Sequence, residues 1–92
     1  MKLTSDEYRH GLILTNRFVR EARKLDKKYR EILEKRLKDI ANNPLAVGKR
    51  LRGPYRDKLS ERLNRRFRII FSIPRECEVL IEDLYHRDIA YR

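Results

Sequence analysis

The sequence predicts an α+β domain: an N-terminal strand, a helical hairpin, then an antiparallel three-stranded meander, in the order β-α-α-β-β-β. Three observations carry this reading. An apolar stripe at helical spacing runs from Phe18 to Ala41 and is restarted once, at Asp26. Beyond Pro44 the texture changes to short runs alternating apolar and polar residues, as half-buried strands do. Clusters rich in Gly, Pro and Asn separate those runs.

Residues 1–10 are polar and read as an N-terminal arm, leaving 11–92 as a single domain. Leu12-Ile13-Leu14-Thr15 is too short and too apolar for a helix and reads as a buried strand. Asn16 is placed to cap the first helix, whose Phe18, Val19, Ala22 and Leu25 share a face. Asp26 caps the second, and Tyr29, Ile32, Leu33, Leu37, Ile40 and Ala41 continue the stripe. Asn42-Asn43-Pro44 ends it, because the residue before proline is pushed out of the helical region. A loop marked by Gly48, Gly53 and Pro54 follows. Lys58 to Leu63 then reads as a strand, with Leu59 and Leu63 facing the core and Lys58, Ser60 and Arg62 facing away. Glu61 falls on the nominal core face, where a carboxylate has no obvious place. Asn64-Arg65-Arg66 forms a turn. Phe67, Ile69, Phe71 and Ile73 line one face of the next strand, with Arg68, Ile70 and Ser72 opposite. Pro74 to Cys77 turns the chain again, and Glu78 to His86 is the last strand.

Formal charge is +10, divided evenly between the halves of the chain but arranged differently in each. In the first half opposite charges are interspersed at helical spacing, and Arg20, Arg23, Lys24, Lys27 and Lys28 read as a solvated helix face. In the second, Lys49 to Arg68 holds nine Lys or Arg residues against Asp57 and Glu61 alone. Packed positive charge repels itself and calls for an acidic or phosphate-bearing partner. Arginine suits phosphate, because its planar fork of donors matches the oxygens and stays charged. RNA is therefore the first partner to consider. Cys77 is the only cysteine, which excludes an internal disulfide and makes a reducing, cytoplasmic setting the expectation. His10 and His86 have no zinc spacing, no apolar run is long enough to span a membrane, and MKLTSDEYRHG lacks the apolar centre of a signal peptide.

The order of elements, LRG at 51–53, SERLNRRFRIIFSI at 60–73 and HRDIAYR at 86–92 resemble the RelE/ParE superfamily of small toxins, with the run from Ser60 closest to its RelE and YoeB branches. The likeness covers nearly all of the chain from Leu12 onward. It implies a RelE-like fold and the toxin of a type II toxin–antitoxin pair, an enzyme that cuts messenger RNA on the ribosome without metal or other cofactor. It also implies a cognate antitoxin, acidic and partly disordered when alone. The superfamily contains gyrase inhibitors of the ParE type as well, and a member that only binds RNA or antitoxin is a third reading.

Carried over residue by residue, Arg68 matches the family's most recurrent catalytic arginine, Arg62 a basic position on the preceding strand, and His86, Arg87 and Tyr91 the terminal constellation. Lys58 lies near the strand lysines of the RelE branch. Where the YoeB branch has a glutamate as general base, an ungapped alignment puts Lys49, so the chemistry expected is that of the RelE branch. Attack of a 2′-hydroxyl on the adjacent phosphate needs a proton acceptor, stabilisation of a phosphorane, and a proton for the leaving 5′-oxygen. Arginines meet the second need. His86 suits the first or third, since an imidazole exchanges protons near neutral pH, and its neighbours Arg87 and Arg68 are expected to favour the neutral form and thus the role of base. Tyr91 offers a ring for stacking on a splayed base. Lys49, Arg50, Arg52, Arg56, Lys58, Arg65 and Arg66 are expected to contact phosphates rather than to take part in chemistry.

Overall fold

The computed structural model describes residues 2–3 and 11–86. A mixed sheet of six strands, in the order β1-β2-β6-β5-β4-β3, carries the helices on one face. The strands are β1 (Lys2–Leu3), β2 (Gly11–Leu14), β3 (Lys49–Arg50), β4 (Leu59–Arg62), β5 (Phe67–Arg75) and β6 (Glu78–His86). Helices α1 (Asn16–Arg23) and α2 (Lys27–Asn42) form the hairpin, followed by one short turn of helix, α3 (Pro44–Val47).

The meander stands as expected: β4 pairs antiparallel with β5, and β5 with β6. The N-terminal strand joins it in the other sense, since β2 runs parallel to β6 from Gly11↔Glu78 to Leu14↔Ile81. Two edge strands were not expected. Lys2 and Leu3, assigned to the arm, pair with Ile13 and Leu12, and the rest of that stretch lies outside the described residues. Lys49 and Arg50, assigned to a loop, pair with Ser60 and Leu59.

Three local expectations are corrected. The cap of α1 is Thr15, not Asn16: its Oγ1 accepts from the Phe18 N–H at 3.1 Å and donates to the Glu82 carbonyl at 2.7 Å. That hydroxyl thus satisfies a helix end and ties it to β6. Asp26 is the N-cap of α2 by position, but its carboxylate makes no capping bond; its backbone carbonyl accepts from Tyr29 and Arg30. Pro44 starts α3 instead of a loop, at the first helical position where a missing N–H is harmless. The last hairpin is also tighter than expected. β5 runs through Pro74 to Arg75, which pairs with Glu78 across Glu76-Cys77, and Cys77 takes a left-handed φ of 61°.

The core is one cluster between the hairpin and one sheet face. Phe18, Leu33, Leu37, Ile40 and Ala41 come from the helices, and Leu12, Leu59, Ile69, Phe71, Val79, Ile81 and Leu84 from the strands. Fully burying each large side chain here contributes about 1.5–3 kcal/mol. Phe67 and Ile73 pack against this cluster, as the alternation of β5 requires. Gly48 allows close approach: a Cβ there would lie 2.5 Å from Phe71 Cζ. The bare backbone lets the chain pass over Phe71 and enter β3.

Candidate RNA-binding face

Among the described residues no helix covers the opposite face of the sheet, and strand register fixes what stands on it. Directly paired residues of neighbouring strands point the same way. One row across the face is Lys49, Ser60, Ile70 and Asp83; the next is Arg62, Arg68 and Tyr85. Three cations therefore stand on adjacent rows. Lys49, Arg62 and Arg68 line a cavity of about 310 Å³ with Val47, Ser60 and Glu61. Arg62 and Arg68 are immediate cross-strand partners, an arrangement of like charges that destabilises a sheet unless something anionic sits between them.

Beneath the cations the face is firm. Ile70 is 1% exposed, although it lies outside the main core cluster, and its row neighbours Ser60 and Asp83 are buried too. Asp83 accepts from its neighbour, the Leu84 N–H, at 2.8 Å and pairs with Arg17 Nε at 2.8 Å. Lys58 forms an ion pair with Glu82. That contact ties the entry of β4 to β6 and neutralises a lysine expected to meet phosphate.

The remaining expected residues divide clearly. Arg50 lies on the other side of β3 from Lys49, and its Nη1 donates to the Arg56 carbonyl at 3.1 Å, holding the loop between them. Arg52 and Arg56 flank the 3-10 turn Gly53–Tyr55 in that loop and are exposed. Arg65 and Arg66 are exposed in the β4–β5 turn, which Asn64 organises by accepting from the N–H groups of Arg66 and Phe67 at 2.8 and 2.9 Å. His86 pairs with Phe67, its ring edge-on to the phenyl with centroids 5.2 Å apart. It therefore occupies the Phe67 side of β6, whereas Arg68 and Tyr85 share the other. The proximity of His86 to Arg68 expected from the sequence is not what the register gives. Arg87 and Tyr91 lie outside the described residues.

Arg17 and Tyr85 belong to this face and were not assigned to it by sequence reasoning; Ser60, placed on this face by alternation, was not read as part of a site, and Glu61, on the core side of β4, reaches the rim of the cavity. Glu61 was the one residue with a signal, an acid on a strand face otherwise apolar; it is half-buried at the cavity. Among the described residues no group of three or more His, Cys, Asp or Glu side chains is placed to hold a metal ion. No helix among them is long and apolar enough to cross a membrane.

Neither protein-family profiles nor curated proteins yield a match to the chain. Solved structures do. A RelBE toxin–antitoxin complex of Mycobacterium tuberculosis contains a chain 27% identical, superposing with a TM-score of 0.70 over 83% of this chain and 95% of that one. The intact RelBE complex of E. coli gives 25% identity and a TM-score of 0.67, covering 88% and 96% of the two chains. The chain belongs to the RelE/ParE toxin superfamily. The YoeB–YefM complex of Staphylococcus aureus shares the fold at 15% identity, with a TM-score of 0.71 over 86% and 98%. In RelE/ParE terms, the mixed sheet and helical hairpin are the shared scaffold, and Lys49, Arg62 and Arg68 stand together on its open face.

Proposed function

We propose that this chain is the toxin of a type II toxin–antitoxin pair and cleaves messenger RNA on the ribosome by 2′-hydroxyl attack, without a metal ion. The observation that carries the reading is the cross-strand pair Arg62↔Arg68, with Lys49 on the same face around a 310 Å³ cavity. Two guanidiniums held side by side on paired strands form a preorganised anion site. A phosphorane, with more negative charge than the ground-state phosphodiester, gains more from them than the substrate does. The 2′-oxygen bonds to phosphorus as the P–O5′ bond breaks, leaving a cyclic phosphate on one fragment and a 5′-hydroxyl on the other. Proton transfer is assigned to His86, with the condition that its ring swings away from Phe67 to reach the reacting atoms.

Two complexes of RelE-type toxins with their antitoxins are among the structures this chain resembles. A basic chain with a charged open face is suited to an acidic partner segment that folds on contact. The test is primer extension on messenger RNA from cells expressing the chain, together with reconstituted cleavage on programmed ribosomes. Cuts at codon-phased positions that require translation and persist in chelator are expected. Intact messenger RNA with inhibited DNA supercoiling would overturn the reading in favour of a ParE-type gyrase inhibitor.

A further inference from the structure

The cation at the far end of the open face is Arg17, from the first turn of α1. β2 stops pairing with β6 at Leu14↔Ile81. Just beyond, Thr15 ties the start of the helix to Glu82, so α1 begins where the pairing with β2 ends. From there Arg17 reaches over β6. Its Nε bonds Asp83 at 2.8 Å, and its guanidinium lies 5.6 Å from the centre of the Tyr85 ring. The Arg17 side chain is 64% exposed, while that of Asp83 is only 8% exposed. An arginine fixed along one edge by a buried carboxylate and across its face by an aromatic ring keeps its terminal nitrogens free to point outward. Two rows end on its two contacts, the Lys49–Ser60–Ile70 row at Asp83 and the Arg62–Arg68 row at Tyr85.

Resting on the RNA reading above, we infer that Arg17 binds a second phosphate of the RNA strand, next to the one held by Arg62 and Arg68, with Asp83 and Tyr85 as its positioning residues. Strands β4, β5 and β6 span roughly 10 Å. That exceeds the roughly 3.4 Å axial rise per nucleotide of a stacked strand, so one strand crossing the face presents more than one phosphate. Ordering a free surface arginine on phosphate sacrifices side-chain entropy, and the Asp83–Tyr85 clamp removes most of that cost beforehand.

The experiment measures binding of the purified chain to a single-stranded RNA oligonucleotide made uncleavable by 2′-O-methylation, across a range of salt. Each phosphate neutralised on a single strand adds about 0.7 to the slope of log affinity against log salt. Taking away one such cation therefore lowers the slope by that amount, and affinity at about 0.1 M salt by about five-fold. Arg17→Ala is expected to do this. Lys24→Ala, which removes a charge from the far end of the same helix, is expected to leave the slope unchanged. Asp83→Asn keeps an acceptor for the Leu84 N–H and makes the chain more positive. General electrostatics therefore predicts tighter binding, whereas a positioning role predicts weaker binding. Tyr85→Phe should bind like wild type and Tyr85→Ala like Arg17→Ala.

A lower melting temperature for Arg17→Ala with wild-type affinity and slope would make the contact with Asp83 a structural ion pair and overturn the inference. Tighter binding by Asp83→Asn would overturn the positioning role. Weakened binding of the partner protein with RNA binding intact would place Arg17 in a protein interface and overturn it as well. A wild-type chain without salt-dependent affinity for RNA sinks both this inference and the reading it rests on. The expected pattern in a chain that leaves messenger RNA uncut sinks only the cleavage.

Discussion

At the scale of single residues, the face is built on a local conflict. Arg62 and Arg68 oppose each other across two strands, where like charges are unfavourable. Such violations are retained where a site needs them. Arg68→Ala should therefore lower the cleavage rate by about 100-fold. It should also leave the melting temperature equal to or above that of wild type; a variant that melts normally yet cuts at the wild-type rate removes Arg68 from the chemistry. His86→Ala should slow cleavage by at least about 100-fold, which requires the imidazole to leave Phe67, where it rests away from the arginine pair; a much smaller loss than that of Arg68→Ala in single-turnover reactions would remove His86 from the proton transfer. A different kind of residue supports the same place. Gly48→Ala drives a methyl group against fully buried Phe71 and the Pro44 carbonyl. The overpacking should lower stability by about 1–3 kcal/mol in denaturant titration. An unchanged midpoint would mean that β3 shifts freely, which would also displace Lys49.

Among the elements, β5 and β6 were legible because their alternation is long enough to fix their faces, although β5 runs on through Pro74 and Arg75 beyond its apolar pattern, and the helical stripe was legible for the same reason. The short elements were not. Lys49–Arg50 has no apolar member to announce a strand, and β3 exists only because β4 offers it an edge. Thr15 and Asn16 are both good capping residues; the carbonyl of Glu82, distant in sequence, decides between them. Strand order and register were the larger gap. Arg62 and Arg68 fall on one face by simple alternation, but whether His86 or Tyr85 stands beside Arg68 depends on pairing with β6, which no local pattern reveals. Arg17 was hidden for the same reason, since nothing in its helix points to Asp83. The β5–β6 hairpin carries a prediction of its own. Cys77 holds a left-handed φ of 61° that a residue with a Cβ adopts at a cost. Cys77→Gly should raise stability by about 0.5–1 kcal/mol, the relief of strain exceeding the entropy that glycine adds to the unfolded chain. A lower melting temperature would mean that the turn is not strained.

For the whole molecule, a charge of +10 acts on the fold and on its partners with opposite sign. Salt screens the self-repulsion of the free chain, so its melting temperature should rise as salt is added. The complex with an acidic partner should weaken over the same range; affinity flat in salt would point to a mainly apolar contact instead. The parallel pairing of β2 with β6 has a further consequence, in time. Thr15 and Glu82 are 67 residues apart, and β2 lies beside β6 rather than beside any strand made earlier in the meander. During synthesis β2 must wait for β6 before the sheet can close. Contacts so distant along the chain form late. Tyr85, and the Asp83 carboxylate paired with Arg17, arrive on that same strand. Under the proposed function, a growing chain would therefore lack a finished RNA-binding face until β6 has been made, and the ribosome still producing it would be spared.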